Sequence, residues 1–349
     1  MSAGPLQELL DVPGTTDVLV NGPGAVWVDR GDGLERVDLD IGPEPRVRAL
    51  AVRLAAGAGR RLDDASPCVD AVLEDGTRLH AVLPPVSGSG TLLSLRVPRR
   101  TPLSLAELEA AGSLPPGWGP VLRAVVRHRC SLLVSGGTGS GKTTLLGALL
   151  GLVDARERLV LVEDSGELSP AHPDVVRLQA RHGNVEGAGA VGQRELVRQA
   201  LRMRPDRLVV GEVRGAEVAD LLMALNSGHE GGSCTVHANS AAAVPARLTA
   251  LAALAGMGPD VLAAQAAAGL QVVVHLRRER ALRRVVEIGV VSRAAGTGGS
   301  GEPGGLVVVP ALRAGGAPDH PGTREEGWGR LAELLRLAAV PVQATRRRA

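Results

Sequence analysis

The feature that most constrains the fold is the segment CSLLVSGGTGSGKTTLLGALLGL, which runs from Cys130 to Leu152. Its apolar run at 131–134 is typical of a buried strand, and the run at 144–152 is typical of a helix. The glycine-rich stretch between the two runs matches the pattern GxxxxGK[ST]. A strand, a glycine loop and a helix in this order are the setting that this pattern requires. The segment therefore predicts an α/β domain built on a mostly parallel sheet.

The loop in this segment predicts a phosphate site. Glycines let the backbone curl so that several N–H groups face one anion, and the helix N-terminus adds a partial positive charge. Lys142, the only lysine among 39 basic residues, is expected to bridge the β- and γ-phosphates, and Thr143 to ligate Mg²⁺. Because glycine is abundant in this chain, the lone lysine is what argues against a merely structural loop. We expect this loop to bind ATP or GTP, and we take ATP and Mg²⁺ as the cofactors. The residues expected to bind the nucleotide are Gly136, Gly137, Thr138, Gly139, Ser140, Gly141, Lys142, Thr143 and Thr144.

Carboxylates close two further apolar runs. RLVLVED ends in Glu163 and Asp164, and RPDRLVVGEVR carries Glu212. Ligands of parallel sheets bind at the carboxyl ends of the strands. One acid there can polarise an attacking water, and a second can hold a metal ion through water. The competing interpretation is that these acids only solvate the rim of the sheet.

Composition argues against several classes of protein. The formal net charge is +2, so there is no strong attraction to nucleic acid or anionic membrane. Three cysteines lie far apart without a CxxC, which is typical of reduced thiols in a cytoplasmic protein. No basic segment followed by an apolar run opens the chain, and the longest apolar region, at 248–276, is interrupted by polar residues, Gly and Pro. We expect a cytoplasmic protein without a membrane span.

The stretch GHEGGSCTVHAN, at 228–239, offers a metal site as an alternative. A structural zinc needs four N, S or O ligands, which His229, Glu230, Cys234 and His237 could supply. However, 233–236 is predicted to be a strand, which would direct Cys234 and His237 to opposite faces. We therefore favour a role for His237 at a strand end beside the phosphate loop.

The chain divides into four predicted parts. Residues 1–97 combine a β-meander, a helix and a hairpin, which predicts a small α+β domain. Residues 98–120 are rich in proline and are predicted to be a linker. Residues 121–295 alternate strands and helices, which predicts a RecA-like ATPase domain. Residues 296–349 begin with a Gly/Ser-rich stretch and are predicted to be a flexible linker and a tail of unassigned role.

Spaced motifs give the chain a family resemblance. LRMRPDRLVVGEVRGAEVADLLMALNSGHEGGSCTVHANS, from Leu201, closely resembles the ATPases of type II and type IV secretion and type IV pili. VEDSGELSPAHPDVVRLQARHGN resembles their Asp box, and DVLVNGPGAVWVDRGDGLERV with LSLRVPRR resembles their N-terminal domain. Within this family the chain is most similar to the tight-adherence (Flp) pilus branch, which includes proteins of conjugal transfer.

The resemblance implies a two-lobed homohexameric motor, with nucleotide between the lobes. This motor would act on a polytopic platform protein at the inner membrane and contact that membrane peripherally. Glu212 corresponds to the Walker B glutamate and is our choice of general base. Glu163 belongs to the Asp box and is the alternative base and a Mg²⁺ ligand partly through water. His237 belongs to the His box and would sense the γ-phosphate.

Five arginines are candidates for contacts that neutralise phosphate charge. Arg78 and Arg96 match N-terminal arginines that reach the nucleotide. Arg177 and Arg181 match arginines after the Asp box that point across a subunit boundary. Arg214 follows the Walker B glutamate. The planar guanidinium suits bidentate phosphate contacts, but the sequence alone does not choose among the five.

Two other functions are alternatives to the secretion motor. RecA-like hexamers also drive helicases, so a nucleic-acid motor is the alternative. The near-neutral charge of the chain and the scarcity of aromatic residues argue against it, because single-strand binding uses basic grooves and stacking platforms. A scaffold that binds nucleotide without hydrolysis is the third hypothesis. The presence of Lys142, Glu163 and Glu212 argues against that one.

Overall fold

A computed structural model describes residues 3–31, 33–98, 102–181, 189–279, 282–294, 304–317 and 319–337. The chain folds into two compact units, Met1–Thr101 and Pro102–Ala349. The first unit contains one hydrophobic cluster, and the second contains two. Within the described residues, none of the helices combines the length and hydrophobicity needed to cross a membrane.

The first unit is a six-stranded antiparallel sheet with helices packed on it. Its strands follow the order β3-β2-β1-β6-β5-β4. Alternate residues of the strands are buried, as in β1, where Val18 and Val20 face the core. Val47, Leu50 and Leu54 recur at helical spacing and are buried against the same core. The elements are α1 Gln7–Asp11, β1 Asp17–Asn21, β2 Val26–Asp29, β3 Leu34–Val37, α2 Glu44–Gly57, β4 Cys68–Val72, β5 Arg78–Val82 and β6 Leu92–Arg96.

The second unit is built on a nine-stranded sheet. Its order is β15-β14-β13-β12-β7-β11-β10-β8-β9, and the strands from β12 to β9 are all parallel. The strands are β7 Leu132–Gly136, β8 Leu159–Glu163, β9 Val175–Gln179, β10 Arg207–Val210, β11 Ser233–His237, β12 Val272–Glu279, β13 Leu282–Arg293, β14 Leu306–Arg313 and β15 Thr323–Arg324. The helices are α3 Leu105–Ala110, α4 Trp118–Arg127, α5 Lys142–Leu150, α6 Gln193–Ala200, α7 Glu217–Leu225, α8 Val244–Ala253, α9 Pro259–Gly269 and α10 Trp328–Leu334.

Helices cover both faces of this sheet, which explains its continuous apolar runs. On β7, Leu132 and Val134 belong to one hydrophobic cluster, and Leu133 belongs to the other. A strand buried on both faces does not alternate apolar with polar residues. The predicted parallel α/β architecture of this unit is confirmed.

Two segments contain more structure than their composition indicated. Residues 98–120, expected to be a linker, include α3 and the start of α4, and Leu105, Leu108 and Trp118 lie in the core of the second unit. Residues 304–337, part of the expected flexible tail, supply β14, β15 and α10. Because β14 pairs with β13, this segment extends the sheet.

Candidate nucleotide site

The phosphate loop joins the centre of the sheet to a helix. β7 ends at Gly136 and α5 begins at Lys142, so the loop of the sequence motif lies between a buried strand and a helix N-terminus. Gly141 caps the helix with φ 92°, and Gly139 has φ 67°. Only glycine adopts such angles without a steric cost. The local backbone therefore requires glycine at these two positions.

Lys142 is buried, and its ammonium lies inside the curve of the loop. Nζ donates to the carbonyl oxygens of Gly136 at 3.2 Å and Gly137 at 2.9 Å. It also lies 3.3 Å from Nδ1 of His237. Because an ammonium is only a donor, Nδ1 accepts from it, and the proton of a neutral His237 is on Nε2. The predicted phosphate and His-box residues are thus in direct contact.

Parallel neighbours bring the predicted acids to the same edge of the sheet. His237 at the end of β11 pairs in register with Gly136. The next strand, β10, is followed by Gly211 and Glu212, and β8 ends at Glu163. Strand ends of a parallel sheet meet at one edge, where ligands bind. Residues more than 70 positions apart in the sequence therefore converge around the loop.

Glu212 is the centre of a charged cluster. Its Oε2 accepts from Nη2 of Arg214 at 2.8 Å, and Nη1 of Arg214 lies 3.6 Å from Asp164. Nε2 of His237 lies 2.7 Å from Oε1 of Glu212, but without hydrogen-bond geometry. This oxygen is buried and has no hydrogen-bond partner in the described part of the chain. It is thus suited to accept from a water molecule.

The charges around Glu212 and His237 set their protonation. Burial acts to raise the pKa of Glu212, but the hydrogen bond and charge of Arg214, together with the charge of Lys142, outweigh it and the pKa is lowered. Burial and then the charge of Lys142 lower the pKa of His237, against the opposing effect of Glu212. At neutral pH the glutamate is therefore ionised and the imidazole is neutral.

Glu163 has a different environment on the neighbouring strand. Its Oε1 accepts from the backbone N–H groups of Glu167 and Leu168, both at 2.9 Å. Burial is the largest effect and raises its pKa to about 7, although these hydrogen bonds oppose it. A Cβ added at Gly211 would come within 2.8 Å of Cγ of Glu163. Gly211 therefore leaves room for the side chain of Glu163, which a larger residue at this position would contact.

Oxygen ligands suited to Mg²⁺ lie beside the first turn of α5. Oγ1 of Thr143 donates to Oε2 of Glu167 at 3.2 Å. Mg²⁺ takes a hydroxyl or one or two carboxylates together with phosphate oxygens and water. Thr143 with Glu167 or Glu163 fits that requirement. Sequence reasoning missed Glu167, although its place four residues after Glu163 was a usable signal.

The predicted arginines separate into three groups. Arg214 lies in the site, bonded to Glu212. Arg177 on β9 donates to the Leu168 carbonyl at 3.5 Å, and its charge acts on Glu163. Arg181 donates through Nε to the Gly189 carbonyl at 2.6 Å. The structure thus brings two of the five arginines, Arg214 and Arg177, to the acids described above, and Arg181 is bonded elsewhere in the same unit. The other two lie in the first unit and are paired directly across β5 and β6: Arg78 and Arg96.

A buried histidine beneath the loop was not predicted. His275 on β12 lies with Nδ1 3.0 Å from Oγ of Ser135, the residue before Gly136, and hydrogen-bonds to the backbone at Asn239. Burial, and then the charge of Arg277, lower its pKa to about 4. The neutral ring therefore links the phosphate-loop strand to the segment after His237. No sequence motif marks this position.

The alternative zinc site does not assemble. Cys234 is packed in a hydrophobic cluster, where burial raises its pKa to about 12. His237 instead contacts Lys142 and Glu212. Within the described residues, no group of three or more His, Cys, Asp or Glu side chains is arranged to hold a metal ion by itself. The stretch therefore ends beside the phosphate loop and does not form a metal site of its own within the described residues.

Comparison with known proteins shows the family of the chain. Residues 1–295 match the family described as type II/IV secretion system protein. The chain is 56% identical over 301 residues to a Mycobacterium tuberculosis protein named "Putative conjugal transfer protein", covering 84% of this chain and 86% of that one. It is 32% identical over 262 residues to the protein VirB11 of Agrobacterium fabrum, covering 67% and 75%.

Solved structures show the same fold. The pilus retraction motor PilT with bound ADP aligns with a TM-score of 0.58 at 18% identity, covering 89% of this chain and 82% of that chain. The ATPase DotB of Legionella pneumophila aligns with a TM-score of 0.55 at 18% identity, covering 82% and 79%. The predicted fold class, a RecA-like core preceded by a smaller N-terminal domain, is confirmed.

Proposed function

This chain belongs to the type II/IV secretion system protein family, and on that premise we propose that it is a Mg²⁺-dependent ATPase that powers secretion or pilus assembly. The observation that carries the proposal is the contact chain from Lys142 through His237 to Glu212. It joins a phosphate-binding cation, a neutral imidazole and an ionised carboxylate at the edge where ligands of parallel sheets bind.

Each of these residues has a separate task in hydrolysis. The loop N–H groups and Lys142 bind and orient the phosphates. Mg²⁺, when bound, neutralises charge on the phosphate oxygens, and Thr143 with Glu167 or Glu163 would hold it. Glu212 is the general base, because its buried Oε1 can accept a proton from the attacking water. Arg214 holds the other carboxylate oxygen and keeps this base ionised.

His237 is placed to report the state of the nucleotide. Its ring accepts from Lys142 and faces Glu212, so a shift of the ammonium toward a γ-phosphate would change the contacts of the base. Because this one side chain contacts both the lysine and the glutamate, their coupling does not require a chain of further residues. This supports the role of the His box as a γ-phosphate sensor.

We further propose the assembly that the family resemblance implies. The chain would act as a homohexamer at the cytoplasmic face of the inner membrane and drive a polytopic platform protein of a tight-adherence pilus or secretion system. The relative named for conjugal transfer supports a transport machine of this class. Arginines from neighbouring subunits would complete the phosphate contacts, with Arg181 and Arg177 as the candidates in this unit.

Two substitutions test the chemistry. Lys142→Ala should lose nucleotide binding, because the loop loses its cation. Glu212→Gln should still bind ATP but release phosphate at least about 100-fold more slowly, since it loses the base. The exposed Glu230→Gln is the matched control and should hydrolyse ATP at the wild-type rate. Binding of a fluorescent ATP analogue and phosphate release would be measured on each.

Three outcomes would contradict parts of the proposal. An unchanged rate in Glu212→Gln would move the base to Glu163. A purified oligomer that releases no phosphate, even with lipid and the platform protein present, would exclude the motor. Stimulation of hydrolysis by single-stranded DNA would instead favour the nucleic-acid motor.

A further inference from the structure

The hairpin of β12 and β13 carries arginines directly opposite each other. Arg277 pairs in register with Arg284, and Arg278 pairs with Arg283. Like charges facing each other across antiparallel strands are destabilising. Two such pairs in succession concentrate positive charge on both faces of the hairpin.

On one face of the hairpin, an arginine is hydrogen-bonded within the protein. Arg284 is buried, and its guanidinium donates to the carbonyl oxygens of Gly315 at 2.9 Å and Ala317 at 2.7 Å. These bonds tie the hairpin to the segment that follows β14. Because side chains alternate along a strand, Arg278 and Arg283 lie on the opposite face.

That opposite face lies against the phosphate loop. Nε of Arg283 donates to the Gly139 carbonyl at 3.0 Å. A Cβ added at Gly141 would lie 3.4 Å from Cδ of Arg283, and a Cβ added at Gly139 would lie 3.6 Å from Nη1 of Arg278. Both cations of the second pair are therefore within one side-chain length of the loop that is to bind phosphate.

The contact at Gly139 has a consequence for the loop. Gly139 is at the middle of the loop and has the conformational freedom of glycine, so the loop loses much entropy when it is ordered around a ligand. A charged donor on its carbonyl restrains it before the ligand arrives. Preorganisation of this kind raises affinity by lowering the cost of binding.

We propose that Arg278 and Arg283 form an accessory arm of the nucleotide site that recognises nucleoside di- and triphosphates. Arg283 is a positioning residue that holds the loop through Gly139. Arg278, with Nη1 3.6 Å from the place of a Cβ at Gly139, adds a second cation that attracts the polyphosphate. The inference rests on the proposed function, and it accounts for a basic hairpin that none of the family motifs of the sequence includes.

Affinity for fluorescent ADP, measured on the full chain at low and high salt, tests the arm. Arg283→Met should weaken ADP binding about tenfold or more, since it loses a charged hydrogen bond. Arg283→Lys keeps the charge and a donor, and should stay within about threefold of wild type. Arg278→Met should weaken binding a few-fold at low salt and less at high salt.

Arg277→Met is the matched control, because it removes the same charge from the adjacent position on the other face. It should bind ADP like the wild type. Equal losses in Arg277→Met and Arg278→Met would overturn the proposal, and so would wild-type affinity in Arg283→Met. If Arg283→Met does not fold, wild-type affinity in Arg278→Met overturns it instead.

Two further results would distinguish a failure of the arm from a failure of the proposed function. If variants of the hairpin lose binding to vesicles of anionic lipid while ADP affinity is unchanged, the arm recognises membrane and the proposal fails. If the wild-type chain binds no nucleotide, the proposed function itself fails. Wild-type binding without any effect of Arg283→Met overturns only the arm.

Discussion

Glu163 and Glu212 lie at the ends of neighbouring strands, yet the pKa of Glu163 is raised and that of Glu212 is lowered. Burial acts on both carboxyl groups. At Glu212 the guanidinium of Arg214 outweighs it, whereas at Glu163 the two backbone hydrogen bonds and the charge of Arg177 do not. Opposite pKa shifts in adjacent acids divide their roles. At neutral pH Glu212 is ionised and able to act as a base, whereas Glu163 is only partly ionised.

The raised pKa of Glu163 predicts a pH-dependent stability. Its pKa rises from 4.5 to about 7 on folding, so the folded state binds more protons than the unfolded state between these values. The contribution of Glu163 to the free energy of unfolding therefore falls as pH rises from about 4.5 to about 7, and it is constant above pH 7. Glu163→Gln removes this loss and keeps an acceptor for the Glu167 and Leu168 N–H groups. We expect it to gain on the order of 3 kcal/mol over wild type between pH 4.5 and pH 8.

Urea unfolding of both chains at several pH values would measure this difference. The exposed Glu230→Gln serves as the control and should follow the wild-type curve at every pH. A constant gap between wild type and Glu163→Gln across this range would show that the carboxyl is ionised in the folded protein at all these pH values.

At the scale of elements, β14 and α10 complete the second unit. β14 pairs with β13 from Glu287 to Arg293, and the residues of this segment belong to both hydrophobic clusters of the unit. Trp328 and Leu331 of α10 are buried in one cluster, and Val308 of β14 is buried in the other. A segment with this much apolar contact is part of the fold.

Removal of residues 304–349 should therefore destabilise the protein by more than about 5 kcal/mol, because several buried apolar side chains, each contributing about 1.5–3 kcal/mol, are lost. That loss is comparable to the whole stability of a domain, and it exposes the edge of β13. We expect an insoluble chain or a much lower urea midpoint. Removal of 338–349 alone is the control and should leave the midpoint unchanged. Equal midpoints for the two truncations would contradict the role of β14.

At the scale of the molecule, the chain consists of two units with separate cores. The hydrophobic cluster of Met1–Thr101 shares no member with the two clusters of Pro102–Ala349 among the described residues. A unit with its own core can fold alone. We therefore expect residues 102–349 to fold without the first unit.

Tryptophan fluorescence can follow this unit by itself. The chain has three tryptophans and no tyrosine; Trp27 lies in the first unit, and Trp118 and Trp328 are buried in the second. Residues 102–349 should give a cooperative urea transition close to that of the full chain carrying Trp27→Leu. A gradual transition, or one shifted to much lower urea, would show that the second unit depends on the first.

The sequence by itself determined the phosphate loop, the parallel sheet and the acids at its edge. These features are encoded within a few residues: Gly136 and Lys142 are six positions apart, and each acid lies within two positions of the apolar run of its own strand. Local spacing and the period of apolar residues are sufficient for such features. The family resemblance added their roles.

Only the tertiary structure decided which groups touch. Lys142 and His237 are 95 positions apart, and Gly139 and Arg283 are 144 apart. The opposite pKa shifts of Glu163 and Glu212 depend on burial and on Arg214, and the place of β14 depends on the free edge of β13. Contacts of this range arise when strands pair and side chains are buried together. Their charges and hydrogen bonds are therefore properties of the packed chain, and no short pattern contains them.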